Sequence, residues 1–187
     1  MLRRNMKNKS HRYTTTAVSL HWLITLGLTG TLALGFYMNS LPFSPAKLQY
    51  ISWHKWAGIS LLLLALFRLG WRATHPQPSP PAGMPAWQHA AAEWTHRVLY
   101  LLMIAIPLSG WLMSSAKGFP TVYFGLVQLP DLIGRDVELG KQLTALHVWL
   151  NFALIGLVGL HALAAVKHHL IDRDDVLSRM LPFLARN

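Results

Sequence analysis

The chain has 187 residues, of which 52% are hydrophobic and 13% charged, and its formal net charge is +10. A soluble domain carries about 25% charged residues; here the apolar residues also fall in long runs, so a soluble globular protein is excluded and an integral membrane protein without a separate soluble domain is indicated. Cysteine is absent, which excludes thiolate ligands, iron–sulfur clusters and disulfides.

Four membrane spans are predicted, at residues 14–38, 48–71, 92–114 and 143–168. Each is long enough to cross a bilayer at about 1.5 Å per residue. The second has a short apolar centre, Ala57 to Leu69, broken by Arg68. That arginine lies near a span end, where its side chain can reach the interface. The first span is too long for a signal-peptide core and is expected to be a retained anchor.

Loop charge sets the expected orientation. Arg3, Arg4, Lys7, Lys9, Arg12, Arg68, Arg72, Arg97, Lys167, Arg173, Arg179 and Arg186 fall on one side. Lys47, Lys55, Lys117, Arg135 and Lys141 fall on the other. The positive-inside rule then places both termini in the cytoplasm. This clustering at span ends accounts for the basic charge without nucleic acid. Residues 75–85 read as a proline-rich spacer, and the stretch 117–141, with Phe119, Tyr123, Phe124, Leu126 and Leu129, as a segment on the external membrane surface.

The histidines carry the chemistry. His147 and His161 are 14 residues apart in the fourth span. On a helix that is a rise of about 21 Å and a rotation within about 40° of four full turns. An imidazole inside a membrane is costly and needs a partner. Depth supplies one for each: His54 matches His147 near the external side, and His21 matches His161 near the cytoplasmic side. Each pair can clamp one iron from the two faces of a porphyrin, and two such hemes stacked across the membrane would conduct electrons. His96 competes with His21 at the same depth; we assign His21 to the iron and leave His96 as a quinone or proton contact. His168 and His169, at the end of span four, read as helix-terminal residues or as further quinone or proton contacts. Ligands about 21 Å apart cannot share one zinc or copper ion. Gly58, Gly156 and Gly159 are candidates for admitting a porphyrin edge, or for helix packing. Arg68 and Arg72 are candidate propionate partners.

A set of short motifs occurs in order: Ser-Leu-His-Trp-Leu (19–23), His-Lys-Trp-Ala-Gly-Ile-Ser (54–60), Arg-Leu-Gly-Trp-Arg (68–72), His-Arg-Val-Leu-Tyr-Leu-Leu-Met (96–103), Pro-Leu-Ser-Gly-Trp-Leu-Met (107–113), Leu-His-Val-Trp-Leu-Asn (146–151), Gly-Leu-His-Ala-Leu-Ala-Ala-Val-Lys-His-His (159–169) and Arg-Met-Leu-Pro (179–182). Over nearly its whole length the chain resembles the bacterial cytochrome b561 family, in particular its stand-alone superoxide oxidase members. The resemblance implies a four-helix bundle in the bacterial inner membrane, two b-type hemes on His21, His54, His147 and His161, and ubiquinone as electron acceptor. It further implies an oxidoreductase that oxidises superoxide at the external face. The alternative reading is an electron-carrying anchor between a partner redox protein and the quinone pool; a heme-free transporter or metal-binding bundle is the third. The five external cations could guide superoxide inward, but Asp131, Asp136 and Glu138 share that side and leave a net of +2.

Overall fold

The computed structural model describes residues 12–81 and 83–184. Arg3, Arg4, Lys7, Lys9, His11 and Arg186 lie outside them. Four long helices cross the membrane: α1 (Thr15–Ser40), α2 (Pro45–Thr74), α3 (Ala86–Ala116) and α4 (Val137–Lys167). An even number of crossings puts the two ends of the described residues, Arg12 and Leu184, on one face, called here the termini face; the opposite one is the hairpin face.

Helices α1, α2 and α4 start where side chains can satisfy their free N–H groups, not where the apolar runs start. Thr14 accepts from Ala17 N at α1, Ser44 from Lys47 N at α2, and Asp136 from Glu138 N and Leu139 N at α4. Pro45 occupies the first turn of α2, where its missing N–H costs nothing. Helix α4 therefore starts well before its predicted span, at the Asp136 cap; α3 also starts early, directly after Pro85 and without a capping side chain. Hydropathy finds the part of a helix that lipid covers, and helix ends in water are set by caps.

Helix α1 packs on α2, α2 on α3, and α3 most extensively on α4. The α3–α4 seam holds Leu102, Ile106 and Leu154, with Leu28 of α1 and Leu99, Leu150 and Leu157 against them. Helix α4 makes no comparably close backbone approach to α1 or α2. Large apolar side chains such as Leu26, Trp149 and Leu160 point outward, as lipid-facing residues do.

On the hairpin face the loop from α3 to α4 folds into β1 (Val122–Tyr123) and β2 (Val127–Gln128), antiparallel, with Val122 opposite Gln128. Phe124 (φ 51°) and Gly125 (φ 72°) form its tip in the left-handed region. The hairpin is tied to α2, where Trp56 Nε1 donates to Val122 O at 2.6 Å and Tyr123 OH meets Ser60 Oγ at 2.8 Å. Lys55 Nζ donates to the carbonyls of Phe119 and Pro120. On the termini face a π-helical turn (His168–Asp172) extends α4, and Arg173 (φ 56°) reverses the chain. The C-terminal segment then closes over this face: Met180 O accepts from Trp22 Nε1 at 2.8 Å, and Arg179 reaches both Ser79 O and Asp175.

Candidate functional site

Five half-buried imidazoles gather in two groups. Toward the hairpin face, His54 of α2 and His147 of α4 bring their ring centroids to 6.3 Å at an interplanar angle of 79°. His147 Nδ1 donates to Ile106 O at 3.1 Å and lies 3.0 Å from Ser109 Oγ. With Nδ1 so engaged, Nε2 keeps a lone pair, the form in which histidine binds metal. His54 Nδ1 is buried and faces the Thr31 backbone without closing a hydrogen bond. Two glycines make room for these rings. A Cβ at Gly35 would stand 3.3 Å from His54 Cε1, and one at Gly110 would stand 3.1 Å from His147 Cε1.

Toward the termini face, His161 of α4 faces two imidazoles. His21 of α1 has its centroid 6.3 Å away at 70°, and His96 of α3 has its centroid 5.2 Å away at 75°. Arg68 lies among them. Its Nε donates to Tyr100 OH and its Nη1 to Ala17 O, both at 3.0 Å, so one guanidinium ties α2 to α3 and α1. Its charge is within electrostatic reach of His21, His96 and His161. Arg72, one turn on, stands over the Tyr100 ring at 5.9 Å. A cavity of about 270 Å³ opens here between α2 and α3, lined by Leu69, Arg72, Glu93, His96, Arg97 and Tyr100.

The spacing can be tested against a bound metal. An ion about 2 Å from each of two imidazole nitrogens, with each ring centre about 1 Å behind its nitrogen, separates the centroids by about 6 Å. Both 6.3 Å pairs fit that value, whereas the 5.2 Å between His96 and His161 is short for an ion between them. The donors are the type that holds iron in a porphyrin, and the buried, unbonded Nδ1 of His54 marks a ring held for something other than a protein acceptor.

Cβ atoms at Gly58, Gly156 and Gly159 would meet open space rather than a neighbouring helix; Gly35 and Gly110 are the glycines against histidine, and Gly110 sits in the Pro-Leu-Ser-Gly-Trp motif beside Ser109. His168 and His169 form the start of the turn beyond α4. His75 stacks on Trp71 at 3.8 Å, and His89 lies in the first turn of α3. Of the hairpin-face cations, Lys47 donates to Leu41 O, Lys55 to Phe119 O and Pro120 O, and Lys141 pairs with Glu138. These three hold loops as well as supplying charge.

Fold and site together define a four-span membrane helix bundle with paired intramembrane histidines. A profile of the family described as prokaryotic cytochrome b561 matches residues 12–183, and the chain belongs to that family. Cytochrome b561 homolog 2 of Escherichia coli (strain K12) is 35% identical over 181 residues, 93% of each chain. Cytochrome b561 homolog 1 of the same organism is 30% identical, covering 92% of this chain and 98% of the relative. A protein of Yersinia pestis named probable superoxide oxidase CybB is 29% identical, covering 91% and 96%. Membership implies b-type heme and electron transfer in a multi-pass protein of the bacterial inner membrane.

Proposed function

We propose that this protein holds two b-type hemes, one between His54 and His147 and one between His21 and His161, and oxidises superoxide at the periplasmic face while reducing ubiquinone at the cytoplasmic face. The observation that carries the reading is the repeated 6.3 Å centroid separation at two depths of one bundle. Supporting it are the loop charges, which orient the termini face toward the cytoplasm, and the name of the Yersinia pestis relative.

Bound heme would supply one-electron redox chemistry. In the net reaction two superoxide anions give up two electrons and leave as two O2; one ubiquinone takes those electrons with two protons and becomes ubiquinol. The chain's residues divide the remaining work. The Ile106 carbonyl and Ser109 hold the His147 ring in one tautomer. Arg68 and Arg72 offer charge to propionates at the termini face. His96 lines the cavity between α2 and α3, a route from the bilayer for a quinone ring, and with His168 and His169 is a candidate contact or proton source there.

The test is stopped-flow absorbance of the oxidised holoprotein mixed with superoxide, with heme counted by pyridine hemochrome. About two hemes per chain, reduced at rates near the diffusional ceiling of about 10⁸–10⁹ M⁻¹s⁻¹ and reoxidised by ubiquinone, is the expected result. Hemes that stay oxidised would move the function to a carrier between a partner redox protein and quinone. A colourless protein would end the reading.

A further inference from the structure

The cavity between α2 and α3 has a charged end and an apolar end. Helix α2 runs toward the termini face and α3 away from it. At 1.5 Å per residue Arg72 therefore lies about 4.5 Å outward of Leu69, and Glu93 about 10 Å outward of Tyr100. Arg72, Glu93 and Arg97 form the rim nearest the aqueous phase; Leu69 and the Tyr100 ring form the floor. The rim carries one net positive charge. Its members are not equally committed. Glu93 is paired with Arg97, one helical turn on, and the Arg97 guanidinium stands over the Trp94 ring at 5.0 Å. Arg72 is half-buried and stands over the Tyr100 ring at 5.9 Å. Among the described residues its guanidinium has no hydrogen-bond acceptor.

The surroundings say in which phase a partner would lie. Trp87, Trp94 and Leu101, seven residues apart, form one exposed stripe along α3, since two helical turns return nearly to the same face. Indole rings sit at headgroup depth in a membrane. Deeper along the same two helices Leu66, Leu69 and Val98 are exposed as well, as residues that face acyl chains are. A cationic mouth at headgroup depth between two spanning helices suits the phosphate of a lipid. The rim also discriminates among lipids. A zwitterionic headgroup brings an ammonium, and the Glu93 carboxylate that could receive it is already held by Arg97. An anionic headgroup brings a phosphodiester alone, whose single charge matches the rim.

We propose that the mouth of this cavity binds one anionic phospholipid, its phosphodiester on Arg72 and Arg97 and its acyl chains along the exposed leucines of α2 and α3. The loop charges put this mouth in the cytoplasmic leaflet. The lipid site goes beyond the redox reading and does not rest on it. A quinone ring is uncharged and approaches over the apolar floor, while a phosphate stays at the rim.

The test is native mass spectrometry of the full chain, purified in a neutral detergent and titrated with phosphatidylglycerol or with phosphatidylcholine of the same chains. Wild type should bind the first phosphatidylglycerol about tenfold more tightly than the phosphatidylcholine. Arg72→Gln and Arg97→Gln should each weaken phosphatidylglycerol about fivefold, the weight of one basic residue at an anionic headgroup, and leave phosphatidylcholine unchanged. Glu93→Gln frees Arg97 and should tighten phosphatidylglycerol, by up to about fivefold; a pair that only stabilises the helix would give no gain. Lys141→Gln, on the hairpin face, should keep the wild-type preference. A phosphatidylglycerol with a photoreactive headgroup should crosslink within residues 87–101 of α3, and millimolar inorganic phosphate should not displace it. If Arg72→Gln does not fold, the exposed positions Arg97 and Glu93 decide. Equal affinity for the two lipids in wild type, a preference unchanged in both Arg97→Gln and Glu93→Gln, or crosslinks confined to the hairpin face would overturn the proposal. Displacement by inorganic phosphate would overturn it too, by making the ligand a free anion.

Discussion

The Nδ1 of His147 and the carbonyl of Ile106 meet at 3.1 Å, across the α3–α4 seam and one residue ahead of Pro107. The contact spends the one donor of a neutral imidazole on the neighbouring helix and leaves Nε2 with its lone pair in a ring whose centroid is 6.3 Å from that of His54. Its consequence is that the two hairpin-face rings act as one unit. His54→Ala and His147→Ala should each remove the same heme, and His21→Ala and His161→Ala the other. His96→Ala should keep both, because its ring is too near His161 for an iron between them. Pyridine hemochrome counts and the α bands of each variant check this; loss of a heme in His96→Ala with retention in His21→Ala would reverse the assignment.

Ser109 shares the same nitrogen, at 3.0 Å, while its own hydroxyl donates to Ile106 O at 2.7 Å. Ser109→Ala leaves His147 with one acceptor instead of two. The expected loss is about 1 kcal/mol, the net value of one hydrogen bond. The heme should be retained but released at lower denaturant concentration, which is read from the absorbance during a detergent–denaturant titration.

Gly110 and Gly35 test the space around the rings. An alanine Cβ at Gly110 would be 3.1 Å from His147 Cε1, so the ring must move by a few tenths of an ångström. Gly110→Ala should shift the hairpin-face α band and weaken heme retention, and Gly110→Val should abolish it. Gly35→Ala, at 3.3 Å, should do the same more weakly. Gly134→Ala, in the loop before α4 where a Cβ meets open space, is the control and should leave both bands unchanged.

What the sequence made legible follows from periodicity. The 14-residue interval from His147 to His161 puts both rings on one side of a helix at two depths, and alternation of span direction then names His54 at one height and either His21 or His96 at the other. Neither step needs side-chain detail. Contacts that depend on how helices approach each other were beyond it. Gly35 and Gly110 differ from Gly58 only in which neighbour they face, and that is decided by packing. The β1–β2 hairpin was hidden because two short strands give no periodic signal in a loop of mixed polarity. The contact of the Asp174 carboxylate with His168 Nδ1, at 2.6 Å, was invisible for a further reason: it forms only because α4 loosens into a π turn and Arg173 adopts a left-handed conformation, which nothing in its residue type requires.

The hairpin's attachment predicts a local effect without global unfolding. Trp56→Phe deletes the 2.6 Å bond to Val122 O and keeps the ring against Phe124, 5.3 Å away. The carbonyl is then left to water, at a cost of about 1 kcal/mol. Hydrogen exchange in residues 119–128 should rise while the four helices stay protected. Since Asp131, Asp136 and Glu138 share the hairpin face with its five cations and leave a net of +2, the field there is modest. Superoxide reduction should therefore vary less than about threefold over the salt range in which strongly steered reactions fall steeply.

Arg68 gives the sharpest electrostatic prediction. A guanidinium bonded to Tyr100 OH and Ala17 O stands beside His21 and His161, and a nearby cation favours the reduced, more electron-rich form of whatever iron those rings hold. Arg68→Gln removes the charge and keeps a donor. The midpoint potential of the termini-face heme should fall, by about 40 mV for each 1 kcal/mol of lost interaction in a one-electron couple, while the hairpin-face heme hardly changes. Arg68→Ala should do the same and also loosen α1 from α2, since both hydrogen bonds go. Arg72→Ala, which loses only the contact over Tyr100, should have a smaller effect on the same heme. Redox titration of the two α bands separates these outcomes. An equal drop in both hemes, or none in either, would mean that the Arg68 charge serves helix packing and not the iron.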